Sequence, residues 1–183
     1  TAMAYDKGDG ELCSEAHYDA ARTIGANGIV LLRNEGGVLP LRTEGRPNIL
    51  VVGENAIKMM TVGGGSSSLK VQHEISPLEG IRAAAAGIAD VDYARGYVGD
   101  VTGEYNGVVT GQNLADSRTP QELIAEACAK AAKADYVIFV GGLNKSAGQD
   151  CEDADRAGLE LPYGQDAVIA ALAKANPRTI VVN

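Results

Sequence analysis

Short runs of β-branched and apolar residues alternate with capped helical patterns along this chain, and that alternation limits the fold more tightly than any other feature. The runs are Asn48-Ile-Leu-Val-Val52, Ala89-Asp-Val-Asp-Tyr93, Asp135-Tyr-Val-Ile-Phe-Val140 and Arg178-Thr-Ile-Val-Val182. Each is brief or nearly continuously apolar, as expected for strands covered on both faces. Helix signals fall between them. Ser76-Pro77 opens one pattern running to Ala85, and Thr119-Pro120 opens another running to Ala132 with an acid at its third position. In both, a hydroxyl caps the first turn and proline takes a place where its missing N–H matters least. A third pattern, Tyr163 to Asn176, gathers Val168, Ile169, Leu172 and Ala173 on one face before Asn176-Pro177 stops it. Strand, helix and strand in repetition imply right-handed βαβ crossovers. The predicted fold class is α/β: a doubly wound, mostly parallel sheet with helices on both faces, an α/β sandwich.

At 183 residues the chain suits one core that buries roughly 70% of the unfolded surface. Ahead of the first strand, Ser14 to Asn27 reads as an amphipathic helix with Ala20, Ala21 and Ile24 inward and His17 half-buried, followed by Gly28 to Arg33 and a Gly36-Gly37 turn. Residues 1–42 are therefore expected to be a linker with a lead-in helix, and residues 43–183 the sandwich itself. Residues 94–118, rich in Gly, Asp, Thr and Asn, form a connection of a length that is uncommon unless it is functional or covers something. The last strand ends beside Asn183, so the sheet is expected to be incomplete at its C-terminal end.

Charge narrows the partners. Sixteen Lys and Arg against 24 Asp and Glu give a net charge of −8, which argues against nucleic acid or an anionic membrane surface. No apolar run approaches the roughly 18 residues that a membrane-spanning helix needs, and the first ten residues lack the basic and apolar parts of a signal peptide. Cys13, Cys128 and Cys151 are odd in number and lack CxxC spacing, so they indicate neither a disulfide framework nor a zinc site; Cys128, inside a helical pattern, reads as core filler.

Two segments carry chemistry. The stretch Asp150-Cys-Glu-Asp-Ala-Asp-Arg156 follows the most strand-like run in the chain, and in open parallel sheets ligands bind beyond the carboxyl ends of strands. No register of it fits a calcium-binding EF-hand. Two carboxyls across a glycosidic bond can hydrolyse it if one stays protonated. Glu152, flanked by Asp150, Asp153 and Asp155, would feel a repulsion that favours its protonated form, with Arg156 opposing. Spacing does not choose among these acids. The second segment, Gly63-Gly-Gly-Ser-Ser-Ser68, offers hydroxyls and close backbone approach, or is simply a surface loop. It lacks the Gly-Lys-Ser/Thr of a nucleotide P-loop. His17 and His73 have no Ser or Asp at the spacing of a hydrolase triad.

The ordered set of landmarks resembles the C-terminal domain of glycoside hydrolase family 3, the β-glucosidase family. These are Arg22 to Leu41, Ile49 to Gly53, Gly63 to Ser67, Ser76 to Ile81, Ala134 to Val140, Gly142-Leu-Asn144, Glu152 to Arg156, Leu161-Pro162, Gln165 and Ala175-Asn-Pro177. The resemblance implies a retaining β-glycosidase, with β-xylosidase or a non-catalytic carbohydrate-binding or structural module as alternatives. An N-terminal barrel of the same polypeptide would be a partner and would bring the nucleophile, whose Ser-Asp-Trp type motif is absent here. Glu152 would be the acid/base, in a stretch where Asp153 replaces the family's usual glycine. This departure leaves Asp150 or Asp153 as alternates or tuners of its pKa, and Asp155 with Arg156 as an ion pair fixing the loop. Ser66, with Ser67 second, would contact sugar hydroxyls. No cofactor or metal is implied, the isolated chain is expected to be inactive, and location is left open.

Overall fold

The structure, a computed structural model, describes residues 10–61, 71–99, 112–144, 149 and 155–183, with the backbone of 104–105 and 108–109. The chain divides into two compact units, residues 1–39 and 40–183.

The first unit contains helix α1 (Glu15–Gly28), which buries none of its residues. Ile24 is 73% exposed, and Ala20, Ala21 and His17 are exposed as well. The expected inward face and half-buried histidine are therefore corrected: among the described residues of its unit no second element covers the apolar stripe. The His17 ring instead closes the first turn, Nδ1 accepting the Ser14 N–H at 3.4 Å. Ile29 to Leu32 follow as exposed coil. Asn34 then pins the next turn, its Nδ2 donating to Leu39 O at 2.8 Å and its Oδ1 accepting Leu39 N–H at 3.1 Å.

In the second unit the elements are β1 (Asn48–Val52), α2 (Pro77–Ala85), β2 (Asp90–Ala94), β3 (Glu104–Tyr105), β4 (Val108–Val109), α3 (Pro120–Ala131), β5 (Tyr136–Val140), α4 (Gln165–Ala175) and β6 (Thr179–Val182). Four strands form a parallel sheet in the order β2-β1-β5-β6, while β3 and β4 pair as a minimal antiparallel ladder within the long connection. Each predicted strand lies within a residue or two of its place. Both capping boxes form: Ser76 Oγ and Thr119 Oγ1 each accept an N–H from the glutamate three residues on, at 3.3 Å, and those glutamates accept the cap N–H in return at 2.8 Å.

Stepping from β1 to β2 runs one way across the sheet, and stepping on to β5 and β6 runs the other. Right-handed crossovers then place α2 on one face and α3 with α4 on the opposite one. The second face holds the core: Leu50, Val52, Val137 and Phe139 from the sheet meet Ala127, Ala131, Val168 and Leu172 from the helices, with Ala94 and Tyr97. Cys128 packs against that cluster as filler, and burial pushes its thiol pKa up. Asn176 locks the helix pair, its Nδ2 donating to Ala131 O at 2.9 Å and Ala134 O at 2.8 Å.

The strand order reverses between β1 and β5, so the two central strands part their connections there and leave a crevice beyond their carboxyl ends. Leu172 is fully buried beneath this sheet. Replacing it with alanine is expected to lower stability by about 2–5 kcal/mol, read as a reduced urea midpoint at unchanged slope.

Candidate functional site

The crevice is built from backbone held by buried amides and a tyrosine. Strand β1 ends at Gly53, φ 132°, where a Cβ would lie 2.0 Å from Val140 O; only glycine lets the two strand ends come this close. The next residues turn in a single 3₁₀ turn, Glu54–Ala56, all buried. Asn55 Nδ2 donates to Gly141 O at 2.8 Å and to Gly142 O at 3.2 Å. Tyr97 OH accepts Asn55 N–H at 3.1 Å and donates to Val140 O at 3.2 Å. Gln165, at the start of α4, accepts Gly142 N–H at 2.9 Å and donates to Gly142 O at 3.0 Å. The carboxyl ends of β1 and β5 and the amino end of α4 thus form one bonded unit.

A buried ion pair ties the long connection to the same place. Arg95 Nη2 lies 2.8 Å from Glu54 Oε2, with side-chain exposures of 8% and 0%. Arg95 also donates to Leu114 O, and Gly99 N–H donates to Glu54 Oε2 at 2.6 Å. Among the described residues Glu54 Oε1, Asn55 Oδ1 and Arg95 Nε have no hydrogen-bond partner, so within them the pair is only partly compensated for its desolvation. Tyr93 OH donates to Gly53 O at 3.1 Å. Burial raises the hydroxyl pKa of both Tyr93 and Tyr97 well above the ordinary tyrosine value.

Ser66, Ser67, Asp150, Glu152 and Asp153 lie outside the described residues, but the backbone flanking them is fixed in detail. Before the glycine-serine segment, Glu74 accepts the N–H groups of Met60 and Thr61, the second at 3.1 Å, and Thr61 Oγ1 at 2.6 Å. Gln112 accepts Met59 N–H at 2.6 Å and donates to Ile57 O at 2.8 Å. On the acidic side, Asp155 is exposed and Arg156 half-buried. Arg156 lines a hollow of about 220 Å³ with Leu143, Gln149, Leu161 and Pro162. A larger hollow of about 560 Å³, lined by Asn48, Asp90, Lys130 and Lys133, sits at the amino ends of the strands, the end that does not bind ligands in such sheets. His73 is exposed, as His17 is.

The sequence profile described as the glycosyl hydrolase family 3 C-terminal domain matches residues 29–183. The chain belongs to glycosyl hydrolase family 3. It is 44% identical to a β-glucosidase of Bacteroides ovatus over all of this chain and 24% of that protein. It is 29% identical to probable β-D-xylosidase 7 of Arabidopsis thaliana, over 94% of this chain and 19% of that one. A solved β-glucosidase from Erythrobacter marinus superposes with a TM-score of 0.74 at 33% identity, over 92% of this chain and 23% of its own. The chain spans about a quarter of the length of the curated relatives it matches.

In this family 3 domain, Glu54, Asn55, Arg95 and Tyr97 escaped sequence reasoning, and Gln165 was met only as a landmark of the resemblance, without its bonds to Gly142. Only their positions hinted at them: Glu54-Asn55 directly after an apolar strand and its glycine, and Arg95 directly after β2. Removing one partner of the ion pair leaves a buried charge alone, so Arg95→Met is expected to cost about 3–5 kcal/mol, whereas the double change Glu54→Leu with Arg95→Met should cost less than either single change. Chemical denaturation of the three variants checks this.

The tyrosines make a pH signature. Their pKa values are raised in the fold above the unfolded value of about 10, so the neutral form is favoured and its stabilisation is complete below pH ~10 and lost as pH rises further. Melting temperature is expected to fall as pH rises above about 10, and less steeply in Tyr97→Phe. Equal slopes would contradict this reading.

Proposed function

We propose that the chain is the α/β sandwich of a retaining β-glycosidase of the β-glucosidase type, removing terminal β-linked sugars in a site shared with an N-terminal barrel. Glu152 gives a proton to the leaving oxygen and then withdraws one from water, while the barrel provides the nucleophile. Ser66, with Ser67 beside it in sequence, hydrogen-bonds the sugar hydroxyls. Asp150 and Asp153 set the pKa of Glu152 by like-charge repulsion, and Asp155 with Arg156 fixes the loop.

The single observation that supports this reading is the order of elements. In sequence the glycine-serine segment comes after β1 and the acidic segment after β5, the two strands at the reversal of strand order. Substrates of such sheets bind at that reversal. Membership of a family whose relatives bear the names β-glucosidase and β-D-xylosidase supports the class of chemistry.

In a polypeptide carrying both the barrel and this chain, Glu152→Ala is expected to lower kcat by about 10²–10⁴ on a substrate whose leaving group needs a proton. Azide is expected to restore rate and yield the β-glycosyl azide, the product of a small nucleophile attacking the trapped intermediate. Activity near that of the parent would overturn the assignment, and the same loss with rescue in Asp150→Ala or Asp153→Ala would move the role to that acid. The kcat/KM ratio for aryl β-glucoside against aryl β-xyloside separates the glucosidase from the xylosidase reading. Titrated calorimetrically, the isolated chain should show little binding of glucose or cellobiose, since half the contacts belong to the barrel.

A further inference from the structure

Tyr163 has a left-handed backbone, φ 60° and ψ 24°, a conformation strained for a residue with a bulky side chain. Gly164 next to it is also left-handed, φ 69°, so the chain makes a tight double twist just before α4. Three contacts hold the tyrosine there. Its ring stacks on Tyr97, with centroids 6.4 Å apart and planes within 10°. It also lies against Gly99, where a Cβ would meet the ring at 2.9 Å. Its hydroxyl accepts Gln149 Nε2 at 2.6 Å.

Gln149 is itself buried, and its Oε1 accepts Asn144 N–H at 3.0 Å. A line of hydrogen bonds therefore runs from the segment after β5, through Gln149, to the turn before α4. The stack on Tyr97 continues it, because the Tyr97 hydroxyl joins the ends of β1 and β5. Gln149 directly precedes Asp150 and stands three residues before Glu152. The chain at Gln149, the residue before Asp150, is thereby tied to the framework of the sheet by a side chain with no other described task.

We propose that Gln149 and Tyr163 are positioning residues for proton donation, holding the base of the acidic segment so that its acid meets the leaving oxygen. Neither touches substrate; both act through the acid, and the proposal rests on the reading that Glu152 is that acid. Strain retained at residue 163, where glycine would relax the backbone, fits a position kept for its hydroxyl and ring. A proton donor misplaced by about an ångström loses much of its effect.

The test is leaving-group dependence in a polypeptide carrying the barrel and this chain. Methyl β-glucoside departs only with a proton, whereas 2,4-dinitrophenyl β-glucoside departs without one, so the ratio of their kcat/KM values isolates proton donation. The ratio is independent of how much of a variant is folded. Gln149→Ala and Tyr163→Phe are each expected to lower kcat/KM on the methyl glucoside by about tenfold and on the dinitrophenyl glucoside by less than about twofold. Tyr163→Gly, which relieves the strain, should show the same selective loss. Equal losses on both substrates, or no loss on either, overturn the proposal. Glu152→Ala run in parallel separates the two claims: if it shows no leaving-group selectivity, the assignment of the acid has failed; if it does and the other variants do not, the positioning role has.

Discussion

Everything at the carboxyl end of this sheet depends on the closure of β1 onto β5 by Asn55 and Tyr97. Parallel neighbours are already bonded along their length, but their ends would splay into separate loops without a further tie. Asn55 supplies it by donating to two consecutive carbonyls beyond β5, and Tyr97 by bridging the Asn55 N–H to Val140 O. Gly53 makes the approach sterically feasible. Since these groups sit where water does not reach, each bond is electrostatically stronger than on the surface and each unmade bond more costly. The described backbone that follows β1 and β5 is thereby held as one framework rather than as independent loops.

The Glu54–Arg95 pair illustrates a different balance. It does not stabilise by simple attraction, because the desolvation of two charges is large and some of their polar atoms find no partner among the described residues. What it fixes is geometry: one carboxylate holds the Arg95 side chain and the Gly99 backbone, and the same arginine reaches Leu114. Both ends of a long connection are thereby held to the end of β1, while Gln112 and Glu74 fix the backbone that follows. Precision at the crevice comes from side chains bonding to irregular backbone, which has no ladder of its own to hold it.

The regular part of this architecture was legible beforehand. Apolar runs such as Ile49 to Val52 and capping boxes at Ser76 and Thr119 act locally, so their sequence pattern and their structure coincide. The lead-in helix forms where its pattern put it, but its expected inward face is not covered, because a periodic stripe such as Ala20, Ala21 and Ile24 marks amphipathicity and says nothing about what covers it. The polar framework was invisible for another reason. Asn55, Tyr97, Gln149 and Gln165 are separated by tens of residues, and an amide or a hydroxyl has no periodicity that betrays a distant partner. The acidic segment stands out in the sequence because charge density is local, whereas the bonds of Gln149 to Asn144 and Tyr163 do not.

On the reading proposed above, the domain supplies one half of a split site, whose acid must be presented at a set place and protonation state. The most direct measurement is the pH dependence of kcat/KM in a polypeptide that joins this chain to the proposed N-terminal barrel, on a substrate whose leaving group requires a proton. A bell-shaped profile whose basic limb disappears in Glu152→Ala is the predicted result, because that limb reports loss of the proton that Glu152 must donate. A basic limb that persists unchanged in the variant would contradict it, and the acid would have to be sought elsewhere.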